Sequence, residues 1–328
     1  MGDEMRFLLT TVFAAIVGAG FIQGAEAQIP TFPSKVIRVV IPYVPGGAVD
    51  TIVRFIGPKM QETWGHPVIS ENRPGAGSNL GTEAVVRAAP DGHTLLATSS
   101  VIAVNTALYQ KLSYDPVKDL APVGLVVEAP NVLAVHPSLP ARNVQELINL
   151  AKSKPGQIAY GSSGIGSPTH LGMELLKSTV NIDMLHVPYK GGGQSLPALM
   201  GGESQVAFIT INAALPQGRA GKVRMIAVSS IKRVELAPDL PTIAESGVSG
   251  FDVTPWYALF VPAGTPADVV ARLNGEMNRI LRLQDVRERF LSTGMIPLGG
   301  SPDTLTETLK AEIAKSVKVI KLAGIPKE

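Results

Sequence analysis

Short apolar runs alternate with amphipathic stretches along most of the chain. The first run, from Lys35 to Ile41, is rich in β-branched residues and ends at Pro42, which predicts a buried strand. A glycine turn follows, and from Ala48 to about Trp64 apolar residues recur at helical spacing. The same succession of strand, turn and helix recurs further on, which predicts an α/β fold with mainly parallel sheets.

The pattern predicts further elements and two crossings between them. Strands are expected at residues 68–70, 94–97, 132–135, 158–160, 184–187, 205–209 and 223–228, and helices at 79–89, 144–153, 168–178, 267–281 and 304–322. Two extended apolar segments flanked by prolines, 123–127 and 256–261, lie between these blocks. We expect them to form a hinge of two strands.

The length favours two lobes, because a single core usually stops growing at about 250–300 residues. We expect a signal peptide at 1–27 and a first lobe that begins with 28–127. A second lobe is expected at 128–252, and residues 253–328 are expected to return to the first lobe.

The N-terminus has the pattern of an export signal. Phe7 to Ile22 is an apolar run too short for a typical membrane span, and small residues at 25 and 27 suit cleavage before Gln28. Two acids near the start are unusual in a signal, so a start at Met5 is an alternative to Met1. We therefore expect a mature protein that is free in the periplasm and does not span the membrane.

The composition excludes several classes of function. The chain is 45% hydrophobic and 17% charged, as in globular proteins, and removal of three acids and one arginine with the signal raises the net charge from +2 to +4. This mild charge favours anionic ligands slightly. Basic stripes with interleaved aromatics are missing, so no nucleic-acid partner is expected. The absence of cysteine excludes disulfides, a lipid anchor and a thiolate metal site.

Three glycine-rich turns, at 45–47, 75–78 and 164–167, each precede a predicted helix. In open parallel sheets, ligands bind beyond the carboxyl ends of the strands, where helix N-termini point their N–H groups. Glycine lets the backbone approach a ligand, and the helix end carries a partial positive charge. A carboxylate can thus be held without arginine or lysine. Ordinary turns capped by Ser78 and Ser167 explain each turn singly about as well, but three in one chain favour function.

Motifs for nucleotide binding and hydrolysis are missing. The glycines at 75–81 have the wrong spacing for a dinucleotide fingerprint, and no P-loop or G-x-S-x-G elbow occurs. The five histidines share no metal-type spacing on a helix face, so we expect no catalytic residue, cofactor or metal. His170 can contact a ligand or be a packed residue, and Asp50 is better explained by helix stabilisation than by ligand contact. Lys190 suits a solvated loop charge.

Motifs in a fixed order resemble a known family. They are Tyr43-x-Pro45-Gly46-Gly47-x-x-Asp50, the run at 72–81, Gly164-x-Gly166-Ser167-x-x-His170, Val187-Pro188-Tyr189-Lys190-Gly191, and the segments 241–247 and 256–266. They are similar to the Bug (Bordetella uptake gene) family of tripartite tricarboxylate transporter receptors. The resemblance implies a two-lobed type II periplasmic-binding-protein fold with a hinged cleft and no enzymatic activity.

The resemblance also implies partners and a ligand class. Such receptors deliver their ligand to a membrane complex of a large and a small subunit. Family ligands are mostly di- or tricarboxylates, acidic amino acids and aromatic acids. A periplasmic sensor and, as a weaker alternative, an α/β hydrolase-type enzyme are the other roles considered, and we expect a monomer.

The family holds a carboxylate by main-chain groups and bridging waters from two facing loops. The residues expected to bind ligand here are Tyr43, Pro45, Gly46, Gly47, Asp50, Gly77, Ser78, Asn79, Ser99, Ser162, Ser163, Gly164, Gly166, Ser167, Thr169, His170, Tyr189 and Asn212. The strand at 205–209 lacks the aspartate that family members commonly place there, and residues 210–212 carry no acid. We therefore expect a carboxylate ligand without an amino group.

Overall fold

The structure is a computed structural model that describes residues 32–189 and 192–327. The expected signal peptide, together with Lys190 and Gly191, lies outside the described residues. Residues from Lys35 onward form one compact unit.

Strands and helices alternate along the described chain. The strands are β1 (Ile37–Ile41), β2 (Val68–Asn72), β3 (Thr94–Ser99), β4 (Leu120–Glu128), β5 (Asn131–Val135), β6 (Ala159–Ser162), β7 (Leu185–Pro188), β8 (Val206–Thr210), β9 (Arg224–Val228), β10 (Trp256–Pro262) and β11 (Ile296–Pro297). The helices are α1 (Ala48–Trp64), α2 (Asn79–Val86), α3 (Val101–Leu108), α4 (Val144–Ser153), α5 (Pro168–Val180), α6 (Gly192–Gly201), α7 (Ile211–Arg219), α8 (Ala267–Arg282), α9 (Gln284–Ser292) and α10 (Pro302–Leu322), with a 3-10 turn at Ala76–Ser78. The described part contains no helix that combines the length and the hydropathy of a membrane span.

The strands form two sheets. Sheet I has the order β11-β4-β10-β3-β1-β2, and sheet II has the order β7-β6-β8-β5-β9. Parallel pairing joins β1 to β2 and β3, and joins β6 to β7 and β8. The expectation of mainly parallel sheets is wrong, because β4, β5 and β10 pair antiparallel with their neighbours.

Local sequence explains where several elements begin and end. α1 buries Ile52, Val53 and Ile56 on one face, and Gly65, which follows it, donates its N–H to the Gln61 carbonyl and turns the chain out of the helix with a left-handed φ of 68°. At the start of α4, the Asn143 side chain accepts a hydrogen bond from the Glu146 N–H, as an N-cap should. Ser167 caps α5 in the same way, with Pro168 in the first turn.

Each sheet has its own apolar core. Sheet I packs Leu96, Phe260 and Leu305 into one cluster, and sheet II packs Tyr160 and Phe208 into another. A smaller cluster joins helices from both sides of the molecule. It contains Val104, Ala107 and Leu108 of α3, Leu171 of α5, and Val319 and Ile320 of α10.

Two neighbouring segments connect the sheets. The chain leaves sheet I after β4 and enters sheet II at β5, and it returns between β9 and β10. The Ala129 N–H donates to the Pro255 carbonyl at 2.9 Å, and the buried Ser229 hydroxyl donates to the Val253 carbonyl while it accepts from the Asn131 N–H. Hydrogen bonds therefore join the two crossing segments to each other. The lobe boundaries at 127/128 and 252/253 stay a prediction.

Candidate functional site

A cavity of about 530 Å³ lies where segments of both sheets meet. This volume is within the range of about 300–1,000 Å³ typical of small-molecule sites. The lining residues are Gly46, Gly47, Ala48, Thr51, Ala129, Ser163, Thr169, Gly193, Leu196, Pro197, Met200, Phe208, Ile209, Thr210, Ile211, Asn212, Ala213, Tyr257, Thr293, Gly294 and Met295.

One end of the cavity is the glycine turn before α1. Gly46 has a φ of 84°, and its N–H donates to Asp50 Oδ2 at 2.9 Å. The same Oδ2 also accepts a hydrogen bond from Arg54 Nε at 2.9 Å, and the second carboxylate oxygen, Oδ1, accepts one from Asn72 Nδ2 at 3.0 Å. Asp50 is buried and does not line the cavity, so its position suits a residue that shapes the turn.

The charge state of Asp50 fits this arrangement. The hydrogen bond from Arg54 lowers the pKa of the carboxyl most, and the bonds from Gly46 and Asn72 lower it further, while burial alone would raise it. A carboxylate that accepts several hydrogen bonds is stabilised in its charged form. Asp50 is therefore ionised at neutral pH and neutralised within its own turn.

The first turn of α1 faces the cavity with main-chain groups. Gly47 and Ala48 line the cavity, and the N–H groups of a helix's first turn have no partner within the helix. α1 has 17 residues, and its N-terminus carries a partial positive charge. This end of the cavity can therefore bind an anion without a basic side chain.

The facing loop, residues 162–167, enters from sheet II. Gly164 and Gly166 have φ values of 119° and 71°, which favour glycine. The Ser163 N–H donates to Thr169 Oγ1 at 2.9 Å, and both residues line the cavity. Ser163 of the loop and Thr169 of α5 therefore bring hydroxyl-bearing residues to the same cavity as the α1 N-terminus.

The remaining wall is largely apolar. Leu196, Pro197 and Met200 of α6 line the cavity together with Phe208 and Ile209 of β8. Asp and Glu are absent from the described lining. An ammonium group of a ligand would therefore find no carboxylate partner at this wall.

Five residues expected from the sequence line the cavity. They are Gly46, Gly47, Ser163, Thr169 and Asn212. The others named in the prediction lie outside the lining, and their contacts explain where they are instead.

Tyr43 and Ser99 join the ends of two strands of sheet I. The Tyr43 hydroxyl lies 2.9 Å from Ser99 Oγ and 3.2 Å from Thr98 Oγ1. The Tyr43 carbonyl accepts from Asn72 Nδ2 at 3.1 Å. These three contacts fix Tyr43 at the start of the turn before α1, and the exposed Pro45 lies within that turn.

The polar groups of the second glycine turn, at residues 75–78, and of Asn79 after it are hydrogen-bonded to other side chains of the protein. Asn105 Nδ2 donates to the Gly77 carbonyl and to Asn79 Oδ1, each at 2.8 Å, and the Tyr114 hydroxyl donates to Asn79 Oδ1 at 2.7 Å. Burial raises the pKa of Tyr114 to about 12, so the hydroxyl remains a donor. Ser78 stands at the start of α2 but makes no side-chain capping bond, which differs from the expected cap.

Ser162 and His170 are packed inside the second half of the chain. Ser162 is fully buried, and its Oγ lies 2.7 Å from His186 Nε2. A serine beside a histidine can be a hydrolase nucleophile, but a side chain with no exposed surface cannot attack a substrate. The His170 side chain is also buried, with 4% of the residue exposed. Tyr189 is half-buried, and its N–H donates to the Ser162 carbonyl at 3.1 Å.

The sequence pattern missed several lining residues. Thr51 lies one turn into α1, and its hydroxyl donates to the Gly47 carbonyl at 3.0 Å. Tyr257 belongs to the crossing strand β10, and burial raises its pKa, which keeps the hydroxyl neutral. The segment 293–295 follows α9, a helix that the pattern did not predict. Thr51 could have been predicted, because it lies four residues after Gly47 on the same face of a predicted helix. Tyr257 and residues 293–295 could not, because long-range packing brings them to the cavity.

A larger cavity of about 760 Å³ shares Ile211 and Gly294 with this one. Its wall carries charges of both signs, among them Glu128, Lys232 and Arg287. A Cβ atom at Gly294 would lie 2.2 Å from Ile211 Cγ2, so only glycine lets residue 294 pack this closely against Ile211, the other residue that both cavities share. We assign the candidate site to the smaller cavity because a long helix N-terminus opens into it.

Known proteins match this chain over most of its length. Residues 52–325 match the model of a family described as the tripartite tricarboxylate transporter family receptor. Protein BugT of Bordetella pertussis is 33% identical over 323 residues, which cover 98% of each chain.

Two solved structures are also similar. An R. palustris protein determined with adipate has a TM-score of 0.82 and 34% identity, over 90% of this chain and 100% of that chain. MatC from Rhodopseudomonas palustris, with bound malate, has a TM-score of 0.77 and 34% identity, over 88% of this chain and 100% of that chain. Each similarity therefore extends far beyond the glycine turns.

The Asp50→Asn variant tests how the turn before α1 is held. The pKa of Asp50 in the folded protein lies below its ordinary value of 3.8, so its stabilising contribution is present above that value and is lost as pH falls through the folded pKa. We expect the variant to unfold at lower urea concentration than the wild type at pH 7, with the gap closing as pH is lowered below about 4. The exposed Asp239→Asn is the control. Equal effects of the two changes at pH 7 would contradict the prediction.

Proposed function

Because this chain belongs to the tripartite tricarboxylate transporter receptor family, we propose that it binds one small carboxylate in the 530 Å³ cavity and delivers it to a membrane transporter. Members of this family are periplasmic solute-binding receptors and not enzymes. The family and the α/β fold expected from the sequence are confirmed by these matches.

One observation carries the proposal for a carboxylate. The N-terminus of α1 opens into the cavity at Gly47 and Ala48, and no described lining residue is Asp, Glu, Lys or Arg. Main-chain N–H groups at a helix start are suited to a carboxylate oxygen. The family neighbours determined with adipate and malate support the same ligand class.

The apolar wall and the hydroxyl groups refine the ligand. Leu196, Met200 and Phe208 favour a carbon skeleton, while the hydroxyls of Ser163 and Thr169 can bind a second polar group. The absence of acids from the described lining disfavours an amino group. We infer a di- or tricarboxylate or an aromatic acid that lacks an ammonium group.

The same site explains capture by closure. The ligand would contact Gly47 from the first lobe, residues 28–127 and 253–328, and Ser163 from the second lobe, residues 128–252. The paired crossings near Ala129 and Pro255 are suited to act as the hinge. Such closure is the usual behaviour of periplasmic receptors.

A thermal-shift panel tests the ligand class. The mature protein would be titrated with adipate, malate, citrate and benzoate, and with aspartate as the amino counterpart of malate. Ligand at a hundred times its dissociation constant stabilises by about 2.7 kcal/mol, a shift of roughly a few degrees. We expect at least one acid to act and aspartate to have no effect. A silent panel, or stabilisation by aspartate, would contradict the inference.

The Gly46→Val variant tests binding by the main chain. A β-branched residue is penalised at a φ of 84°, so the turn must change shape and carry Gly47 away from the ligand. We expect calorimetry to show at least about a tenfold loss of affinity for the acid found in the panel. Gly275→Val is the control, because Gly275 lies in α8 with open space around its Cβ position. Comparable losses in both variants would argue against this mode of binding.

Deletion of the gene tests transport. Cells that lack the receptor should lose uptake of the labelled acid and regain it when the wild-type gene is restored, whereas the Gly46→Val gene should restore little. Normal uptake with lost transcriptional induction by the acid would instead indicate a sensor.

A further inference from the structure

Three aromatic rings form a stacked column beneath the loop at residues 162–167. The ring centroids of His170 and His186 are 4.0 Å apart with an interplanar angle of 10°. His186 in turn stacks on Tyr160 at 4.8 Å and 14°. Tyr160 has no exposed surface, so the column rises from the core of sheet II towards the loop.

An ion pair closes the lower end of this column. The Tyr160 hydroxyl donates to Glu174, and Lys177 Nζ lies 2.8 Å from Glu174 Oε1. The Lys177 ammonium also lies 5.4 Å from the centroid of the Tyr160 ring. These contacts leave the phenol little freedom to move, and the imidazoles rest on it.

Each imidazole is bonded to the loop. His170 Nδ1 accepts a buried hydrogen bond from the Gly166 N–H at 3.1 Å. His186 Nε2 lies 2.7 Å from Ser162 Oγ, which accepts from the Gly164 N–H at 3.1 Å. The two glycines with positive φ are thus tied to the column, Gly166 directly and Gly164 through Ser162.

The bond to Gly166 requires an unprotonated Nδ1. Burial lowers the pKa of His170 to about 3, and the neighbouring His186 and Lys177 add to this effect. Burial is also the main cause that lowers the pKa of His186, with Lys177 acting in the same direction and Glu174 against it. His170 is therefore neutral across the ordinary pH range, which keeps its Nδ1 available as an acceptor, and the lowered pKa of His186 favours the neutral ring there too.

Neither histidine lines the cavity, whereas Ser163 and Thr169 on either side of the anchored glycines do. We propose that His170 and His186 are positioning residues that hold the loop at 162–167 in its ligand-binding shape and so set the affinity without touching the ligand. The affinity part of this proposal rests on the proposed function. The anchoring part concerns the ligand-free protein alone.

Gly166 gives the anchor a second consequence. A Cβ atom at Gly166 would lie 2.4 Å from Leu108 Cδ2 of α3, so the loop touches the sheet I half of the molecule at this residue. A shift of the Gly166 backbone would change both the direction of Ser163 and this contact. The His170 bond therefore acts at the point where the loop meets the sheet I half of the molecule.

Nuclear magnetic resonance of the ligand-free mature protein tests the anchor. We expect the side-chain nitrogen signals of His170 to show an unprotonated Nδ1 that does not titrate between pH 5 and 8, and the Gly166 amide to be protected from exchange. Titration of His170 in this range, or a proton on Nδ1, would overturn the proposal.

Two substitutions at one position separate the acceptor from the ring. His170→Phe keeps a ring for stacking and removes the acceptor, whereas His170→Asn places an amide oxygen near the position of Nδ1. We expect His170→Phe to lose Gly166 protection and to weaken adipate or malate binding about tenfold or more, because a buried N–H loses its partner. His170→Asn should restore most of both, and His66→Phe, a half-buried histidine outside the cavity lining, should change neither.

The outcomes distinguish this proposal from the proposed function. Full protection of Gly166 in His170→Phe, or unchanged affinity despite its loss, would overturn the positioning role. Should no acid of the thermal-shift panel bind the wild type, the ligand class of the proposed function fails, while the resonance and exchange measurements still decide whether the histidines anchor the loop. Misfolding of His170→Phe would leave the wild-type and His170→Asn measurements to decide the anchor.

Discussion

The carboxylate of Asp50 is the contact on which the proposed site depends. It accepts hydrogen bonds from Gly46, Arg54 and Asn72 and is thereby neutralised within the turn. Without these bonds, a buried negative charge at the start of α1 would repel an anion and the turn would lose its shape. With them, the main chain at Gly47 and Ala48 can face the cavity while Asp50 stays outside its lining.

Binding by main-chain dipoles has an energetic advantage in a cleft that opens and closes. A buried arginine would be an unpaired charge whenever the cleft closed empty, and such burial is costly. Helix N–H groups carry only partial charges and are held in place by the fold. Hydrogen-bonded turns on both sides, one held by Asp50 and one by the histidine column, supply the rigidity that this mode of binding needs.

Much of the fold could be predicted from the chain, and the failures have physical causes. α1 and α4 have the bounds that the apolar spacing predicts, because each buries one face only. α3 was missed because most of its residues are buried, so no polar face marks the helical period. α6 contains Pro197 and several glycines, which favour a loop in any local analysis. The direction of β10 was missed as well, since periodicity does not distinguish parallel from antiparallel neighbours.

By itself the sequence determined the family, the α/β class and the three glycine turns, because these depend on residue type and spacing along the chain. Only the tertiary structure decided which turns reach the cavity. The turn at Gly77 looks like the others in sequence, but Asn105 and Tyr114 from distant elements take up its polar groups. From the sequence, His170 could be either a ligand contact or a packed residue. In the structure it is buried and stacks on His186, so it lies in the interior. The reason is that hydrogen-bond partners and burial are set by residues far away in the chain.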